Sequence, residues 1–489
     1  MKSIQSAIAL VLFACFAIGC KNQDTKQEES AQEKAPPNIL FIAVDDLRPE
    51  LGAYGASHIN SPAIDKLASE SLVFDRAYCN IPVCGASRAS IMAGVRPGKH
   101  RFLGYSTRLN EDYPGITSLP MHMKNNGYTT VSNGKIYHHR DDDAEAWDEL
   151  WRPSHPGEKR PRDFYKKSNL KLEAEGVTRG LPYEKANVHD TTYYDGLIAR
   201  KTIEDLKKLK DNNKPFFLAS GFLKPHLPFN APTKYWDLYD STKISLPENY
   251  SQPESTPKRA YHNFGELRHY GGVPKEGPVS DELAKKLIHG YYASVSYTDA
   301  QIGKVLDALK ELELDRNTIV ILWGDHGWNL GDHMMWCKHC NFESSLHVPL
   351  IIKVPGKTTG KHSSAITEFI DIYPSLSELA GLPIPEHVDG QSFVPVINGA
   401  EKVKDFAISK FFGGLTIIKD SFFYTEYYNN DDELTDRMMF DHSVDPLELN
   451  NIAEQPEHAN TAQELSTLLR NNWGDDFYLN RKIKTENKN

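Results

Sequence analysis

Five stretches of the chain are dominated by apolar and β-branched residues, and four of them stop abruptly at charge. Residues 38–44 (NILFIAV) run into Asp45-Asp46, and residues 318–323 (TIVILW) run into Gly324-Asp325-His326-Gly327. Residues 215–220 (PFFLAS) are followed by Lys224-Pro225-His226, and the weaker run 128–132 (YTTVS) by Asn133-Gly134-Lys135. The fifth, 348–354 (VPLIIKV), has no charged cluster at its end. Continuous rather than alternating apolar runs are the pattern of strands covered on both faces, as in a parallel sheet. Helical periodicity lies between them. Residues 64–71 place Ile64, Leu67 and Ala68 on one face, residues 195–210 repeat through Leu197, Ile198, Ile203 and Leu206, and residues 281–312 predict one long helix. Strands alternating with helices predict an α/β sandwich with a largely parallel sheet. Ligands bind such sheets beyond the carboxyl ends of the strands, so the four charged ends should meet at one site.

From about residue 400 the pattern changes. Short strand-like segments at 407–411, 415–419, 422–427 and 437–441, and a closing helix at 459–473, predict a small α+β subdomain. The stretch 141–187 is irregular and reads as surface insertions near the substrate side. At the other end, Lys2 precedes an apolar segment, residues 7–18, of signal-peptide length. It ends Ala17-Ile18-Gly19-Cys20, small residues before a cysteine, which predicts a bacterial lipoprotein signal and a membrane anchor through lipid on Cys20, with plain signal cleavage as the alternative. The predicted division is a lipoprotein signal peptide at 1–20, a flexible linker at 21–37, a main domain at 38–399 and a C-terminal subdomain at 400–489. The expected location is the bacterial periplasm or outer membrane.

With 489 residues, 39% of them apolar, the chain can bury a large core, and 25% charged residues is not a disordered composition. The net charge of −10 argues against nucleic acid as a partner, because phosphate backbones need basic surfaces. An anionic substrate would have to be held by local cations, which screening beyond about 8 Å permits. Cys15 and Cys20 belong to the export segment. Cys79, Cys84, Cys337 and Cys340 are too few for a disulfide scaffold in so long a chain.

Three groups of residues suggest chemistry. In Cys84-Gly85-Ala86-Ser87-Arg88, a helix starting near Cys84 brings Arg88 one turn on to the same face, beside backbone amides that favour anions. A buried cysteine with an unrelated arginine is the plainer reading. Asp45, Asp46 and Asp325 offer the hard oxygens that calcium or magnesium prefers, although aspartate pairs also cap helices. Lys135 and His138, then Lys224, His226 and Lys338, supply cations and imidazoles for acid and base work near neutral pH. His139, His155, His262 and His269 read as structural or solvated.

Taken in order, these segments resemble the type I sulfatases, and most closely their iduronate-2-sulfatase-like group. The likeness runs through 44–49 (VDDLRP), Cys84 to Arg88, 134–138 (GKIYH), 224–229 (KPHLPF), 292–297 (YASVSY), 324–328 (GDHGW), 347–350 (HVPL) and 445–451 (DPLELNN). The resemblance implies an alkaline-phosphatase-like sandwich, with a large mixed, mostly parallel sheet between helices and a small C-terminal antiparallel sheet. It also implies that a maturation enzyme oxidises Cys84 to 3-oxoalanine (formylglycine) and that calcium is held by Asp45, Asp46, Cys84, Asp325 and His326. In the implied mechanism one hydroxyl of the hydrated aldehyde attacks sulfur, assisted by calcium and Arg88. Lys135 and Lys338 hold sulfate oxygens, His226 protonates the departing alcohol, and His138 deprotonates the second hydroxyl to expel sulfate. The family motif Cys-x-Pro-x-Arg has Ala86 in its third place here.

Cys337-Lys338-His339-Cys340 falls at the family's active-site lysine. A small disulfide loop presenting Lys338 and a pair of reduced thiols are both open, and a redox or zinc role lacks its context. Trp328 is readable as a sugar-stacking ring or as a buried aromatic. The expected substrate is a sulfated carbohydrate, such as algal polysaccharide or glycosaminoglycan. The alternatives are a phosphonate or phosphate ester hydrolase of the same superfamily and a non-catalytic lipoprotein that binds sulfated glycans.

Overall fold

The computed structural model describes residues 36–473 apart from 154–163, 176–178, 213, 254, 430, 432 and the side chain of 173. The predicted signal peptide, Cys20, most of the linker and residues 474–489 lie outside the described residues.

The strands of the main sheet are β1 (Asn38–Val44), β2 (Leu72–Phe74), β3 (Thr129–Gly134), β4 (Glu149–Trp151), β5 (Phe216–Phe222), β6 (Thr318–Gly324), β7 (Leu350–Lys353) and β8 (Lys361–Ser363). Their order is β8-β2-β7-β6-β1-β5-β3-β4. β7 pairs antiparallel with both neighbours and every other pairing is parallel. The direction of β7 explains why the fifth apolar run ends without a charged cluster: its carboxyl end lies at the opposite edge from the other strand ends.

The continuous apolar pattern has a direct structural cause. In β1, Ile39, Phe41 and Ala43 enter one core while Leu40, Ile42 and Val44 enter a second on the other face. β6 divides likewise, with Ile319, Ile321 and Trp323 on the first face and Val320 and Leu322 on the other. The helices that build the cores include α1 (Pro62–Ala68), α2 (Cys84–Ala93), α3 (Tyr194–Lys210), α4 (Asp281–Glu311), α5 (Ile372–Leu379) and α6 (Ala459–Trp473). α2 and α5 contribute to the first core, and α1, α3 and α4 to the second. On α3 the buried face includes Ile198, Ala199, Leu206 and Leu209, while Leu197 and Ile203 are half-buried at its margin.

The C-terminal part is a four-stranded antiparallel meander, β9 (Phe406–Phe411), β10 (Gly414–Lys419), β11 (Phe422–Tyr428) and β12 (Leu434–Asp441). α6 covers one face, packing Leu465, Leu469 and Trp473 against Ile408, Ile417, Tyr424 and Met439. The stretch expected to be irregular contains β4, a helix at Lys167–Ala174 and a short strand at Tyr183–Ala186.

Candidate active site

The carboxyl ends of β1, β3, β5 and β6 lie side by side, and each hands its charged residues to one buried centre. β1 delivers Asp45 and Asp46, and the neighbouring β6 delivers Asp325 and His326. The Asp46 N–H donates to Asp325 Oδ1 at 3.0 Å, which joins the two strand ends. α2 begins at Cys84, after an extended Val83, and all its residues are buried. Cys84 Sγ stands 3.1 Å from His326 Nε2 and 3.8 Å from Asp46 Oδ1. His326 Nδ1 lies 2.9 Å from the Gly327 carbonyl. A carbonyl only accepts, so Nδ1 carries a proton and Nε2 is the nitrogen turned to the sulfur.

One turn into α2, Arg88 is fully buried. Its Nε donates to Asp325 Oδ2 at 2.8 Å and its Nη2 to Asp45 Oδ1 at 3.0 Å. Nη1 donates to the carbonyls of Lys135 and Ile136. The guanidinium therefore organises the carboxylates from behind. Lys135, just past β3, pairs with Asp45 Oδ2. Burial alone would raise the Asp45 carboxyl, but Lys135 and Arg88 hold it well below its ordinary range. Asp46 is raised by its burial, against the pull of His226 and Lys338. Burial likewise pushes the Cys84 thiol up to about 11, with Lys135 and Lys338 acting the other way.

Lys338 and His226, both against Asp46, are the residues suited to a leaving group. Lys338 Nζ sits 3.0 Å from Asp46 Oδ1 and 4.9 Å over the Trp328 ring. His226, after β5, has Nδ1 at 2.6 Å from the Leu227 carbonyl, which leaves Nε2 directed into the site. Burial would lower the His226 imidazole, but Asp46 chiefly, with Asp45 and Glu266, raises it to about 10 against Lys338. His138 lies on the loop after β3, with Nδ1 buried and unpartnered. Burial and then Lys135 hold it down to about 2, so the imidazole is neutral.

Two participants had no sequence signal. Glu266 places Oε1 3.1 Å from His226 Nε2 and Oε2 3.0 Å from Lys338 Nζ. Arg152 donates to the carbonyls of Gly134, Tyr137 and His138, bracing the loop that carries Lys135 and His138. Among the histidines read as structural, His262 accepts from the Phe264 N–H at 2.9 Å and His269 Nδ1 lies 2.6 Å from the Gly265 carbonyl. Both shape the turn that carries Glu266, while His155 lies outside the described residues. Cys337 and Cys340 are free thiols in separate apolar clusters, so the disulfide alternative is not the one adopted. The backbone is left-handed at both Cys337 (φ 72°) and His339 (φ 81°), which sets Lys338 in an over-determined loop. Trp328 is buried, edge-on to Phe229, and offers no face to a sugar.

The ligand atoms fall into two overlapping groups: Asp45, Asp46, Cys84 and His226, and Cys84, Asp325 and His326. Three carboxylates are matched by Arg88, Lys135 and Lys338, so a divalent cation would leave the centre positive. The donor chemistry fits a hard cation once Cys84 presents oxygen in place of sulfur.

The sandwich that carries this centre at its strand ends has the alkaline-phosphatase-like fold of its solved structural neighbours. The family model described as sulfatase matches residues 37–382, which include every site residue named above, and a model for the C-terminal part of N-sulphoglucosamine sulphohydrolase matches 331–473. The iduronate 2-sulfatase of Mus musculus is 35% identical over 395 residues, 73% of this chain and 71% of its own. A solved protein in complex with its substrate D-glucosamine-2-N,6-O-disulfate shares the fold with a TM-score of 0.70 at 23% identity, over 89% of this chain and 97% of that one. A phosphonate monoester hydrolase from Silicibacter pomeroyi shares it with a TM-score of 0.73 at 23% identity, over 90% and 96%. The chain belongs to the sulfatase family and is a sulfuric ester hydrolase.

Proposed function

We propose that the protein removes sulfate from a carbohydrate, using Cys84 in its formylglycine form and a calcium ion held by Asp45, Asp46, Cys84, Asp325 and His326. The observation that carries this reading is Cys84 itself: it opens a buried helix beside Asp46 and His326, inside a ring of carboxylates and lysines. When bound, calcium supplies positive charge to the sulfate oxygens. In its hydrated aldehyde form, Cys84 would present one hydroxyl to the sulfur, its proton passing to a carboxylate of Asp45, Asp46 or Asp325 as the S–O bond to the alcohol breaks. Lys135 and Lys338 stand where they stabilise the charge that builds on the sulfate oxygens. His226 donates a proton from Nε2 to the departing alcohol oxygen, with Lys338 assisting. His138, held neutral, takes the proton of the second hydroxyl, which expels sulfate and restores the aldehyde. A maturation enzyme that oxidises Cys84 is the partner this chemistry requires.

The carbohydrate part of the proposal rests on exposed aromatic faces and on relatives. Tyr105 is 72% exposed and its ring lies 6.5 Å from that of His138. Phe412 is 83% exposed at a hairpin tip, beside Phe411, which stacks on His339 next to Lys338. Such faces suit sugar rings. One relative is an iduronate 2-sulfatase and one structural neighbour carries a sulfated glucosamine. Sulfate release from a panel of sulfated oligosaccharides, compared with aryl sulfate and aryl phosphonate esters, tests the reading. Turnover of at least one oligosaccharide is expected. Faster cleavage of phosphonate than of any sulfate would move the phosphonate hydrolase alternative to the front, and glycan affinity without turnover would favour the binding lipoprotein.

Export and lipidation at Cys20 form part of the same proposal, supported by the apolar segment and the small residues before Cys20. Cys20→Ser should release the protein from the membrane fraction of its host; unchanged membrane association would contradict the anchor.

A further inference from the structure

We propose that Glu266 is a positioning residue for departure of the alcohol, holding the two proton donors of the site side by side. The inference rests on the hydrolytic reading above. Glu266 comes from a one-turn helix, Gly265–Arg268, entered through Phe264 at φ 41°. That turn is independent of the strand ends and is firmly braced. The Arg268 guanidinium lies 3.9 Å over the Phe264 ring, and it donates to the carbonyls of Asn263 at 2.7 Å and Gly277 at 2.6 Å. The carboxylate so placed divides its two oxygens between His226 Nε2 and Lys338 Nζ, at 3.1 and 3.0 Å.

Two cationic groups in a buried site repel each other unless a negative group lies between them. Asp46 also touches both, at 3.8 Å to His226 and 3.0 Å to Lys338. Asp46, however, is among the five residues proposed above to hold calcium, whereas His226, whose ring nitrogen lies in the same group of possible ligand atoms, is proposed as the acid. Glu266 is the carboxylate that both donors keep when Asp46 is committed to a cation. His226 is also anchored through Nδ1, and its one Nε2 proton, held by Glu266 until the ester is bound, is the proton that passes to the departing oxygen.

The test uses purified, calcium-loaded protein carrying Glu266→Gln or Glu266→Asp, with Cys84 conversion and thermal melting matched to the wild type. Turnover is measured on 4-nitrophenyl sulfate and on phenyl sulfate, whose leaving group is poorer. Loss of a charge-assisted contact should lower kcat of Glu266→Gln on phenyl sulfate by about 10- to 100-fold. The loss on 4-nitrophenyl sulfate should be below about 3-fold, with KM nearly unchanged. Glu266→Asp, which keeps the charge, should recover part of the loss. An equal loss on both esters, or none, overturns the proposal. A crystal structure of Glu266→Gln gives a readout that does not depend on turnover: His226 and Lys338 should separate, and their remaining in place would overturn the proposal. Absence of sulfate release by the wild type from every ester tried would overturn this inference together with the function on which it rests, whereas an unmoved pair beside an active wild type overturns this inference alone.

Discussion

Burial pushes the Asp45, Asp46 and Glu266 carboxyls upward, and the neighbours decide where each one settles. Asp45 has Lys135 and Arg88 and falls well below its ordinary range, Glu266 has Lys338 and His226 and does likewise, and Asp46 stays raised. Asp325 has a different task, since one oxygen takes the Arg88 Nε and the other the Asp46 N–H. Asp325→Asn should therefore weaken calcium binding and turnover together, and cost about 3 kcal/mol of stability by leaving a buried guanidinium short of a partner. Calorimetric calcium titration and thermal melting check this, and unchanged metal dependence would count against the site. His226→Ala should slow poor leaving groups more than activated aryl sulfates; equal losses would argue that it is not the acid. Asp45, Asp46, Lys135, His226 and Asp325 were legible because each ends or closely follows an apolar run, and Arg88 because it stands one helical turn from Cys84. Glu266 was not legible: nothing in its local sequence marks it, and only the braced turn at 264–268 carries it to residues far away in the chain.

The elements were read from the same pattern, and the reading succeeded where that pattern runs the length of the element. Residues 38–44 and 459–473 match β1 and α6 residue for residue, because an apolar run or a helical period fills the whole element. β2, β4 and β8 gave no usable signal, since each has only three residues, and β4 and β8 have exposed or half-exposed side chains. Element ends also matter to the site. Where β3 and β5 finish, Gly134 and Gly221 let two backbones touch: a Cβ on Gly221 would lie 2.2 Å from the Lys135 carbonyl oxygen, and one on Gly134 would lie 2.1 Å from that of Gly221. Gly221→Ala should cost about 1–3 kcal/mol by overpacking. It should also lower kcat, because the displaced backbone is that of Lys135. Thermal melting and turnover equal to the wild type would contradict this role for the strand ends.

Over the whole molecule, the C-terminal sheet is tied to the catalytic layer by a partly buried charge network centred on Glu448. Glu448, in the segment 445–451, accepts from the Glu343 N–H at 3.1 Å and pairs with His442 Nε2 at 3.3 Å. His442 Nδ1 faces Glu343 at 3.5 Å. Burial would lower the His442 imidazole, but Glu343 and Glu448 raise it to about 10. A folded value above the unfolded one of about 6.5 means that the contribution is complete below that pH and is lost as pH rises toward 10. The stability advantage of wild type over His442→Gln should therefore shrink between neutral pH and pH 10. A difference in melting temperature that stays constant with pH would contradict the network.

All of the chemistry depends on what Cys84 becomes. The most direct measurement is the mass of the Cys84 peptide in protein purified from its own host. The account predicts the mass of a formylglycine peptide, together with loss of sulfate release in a folded Cys84→Ala variant. An unmodified cysteine in folded, active native protein would contradict it.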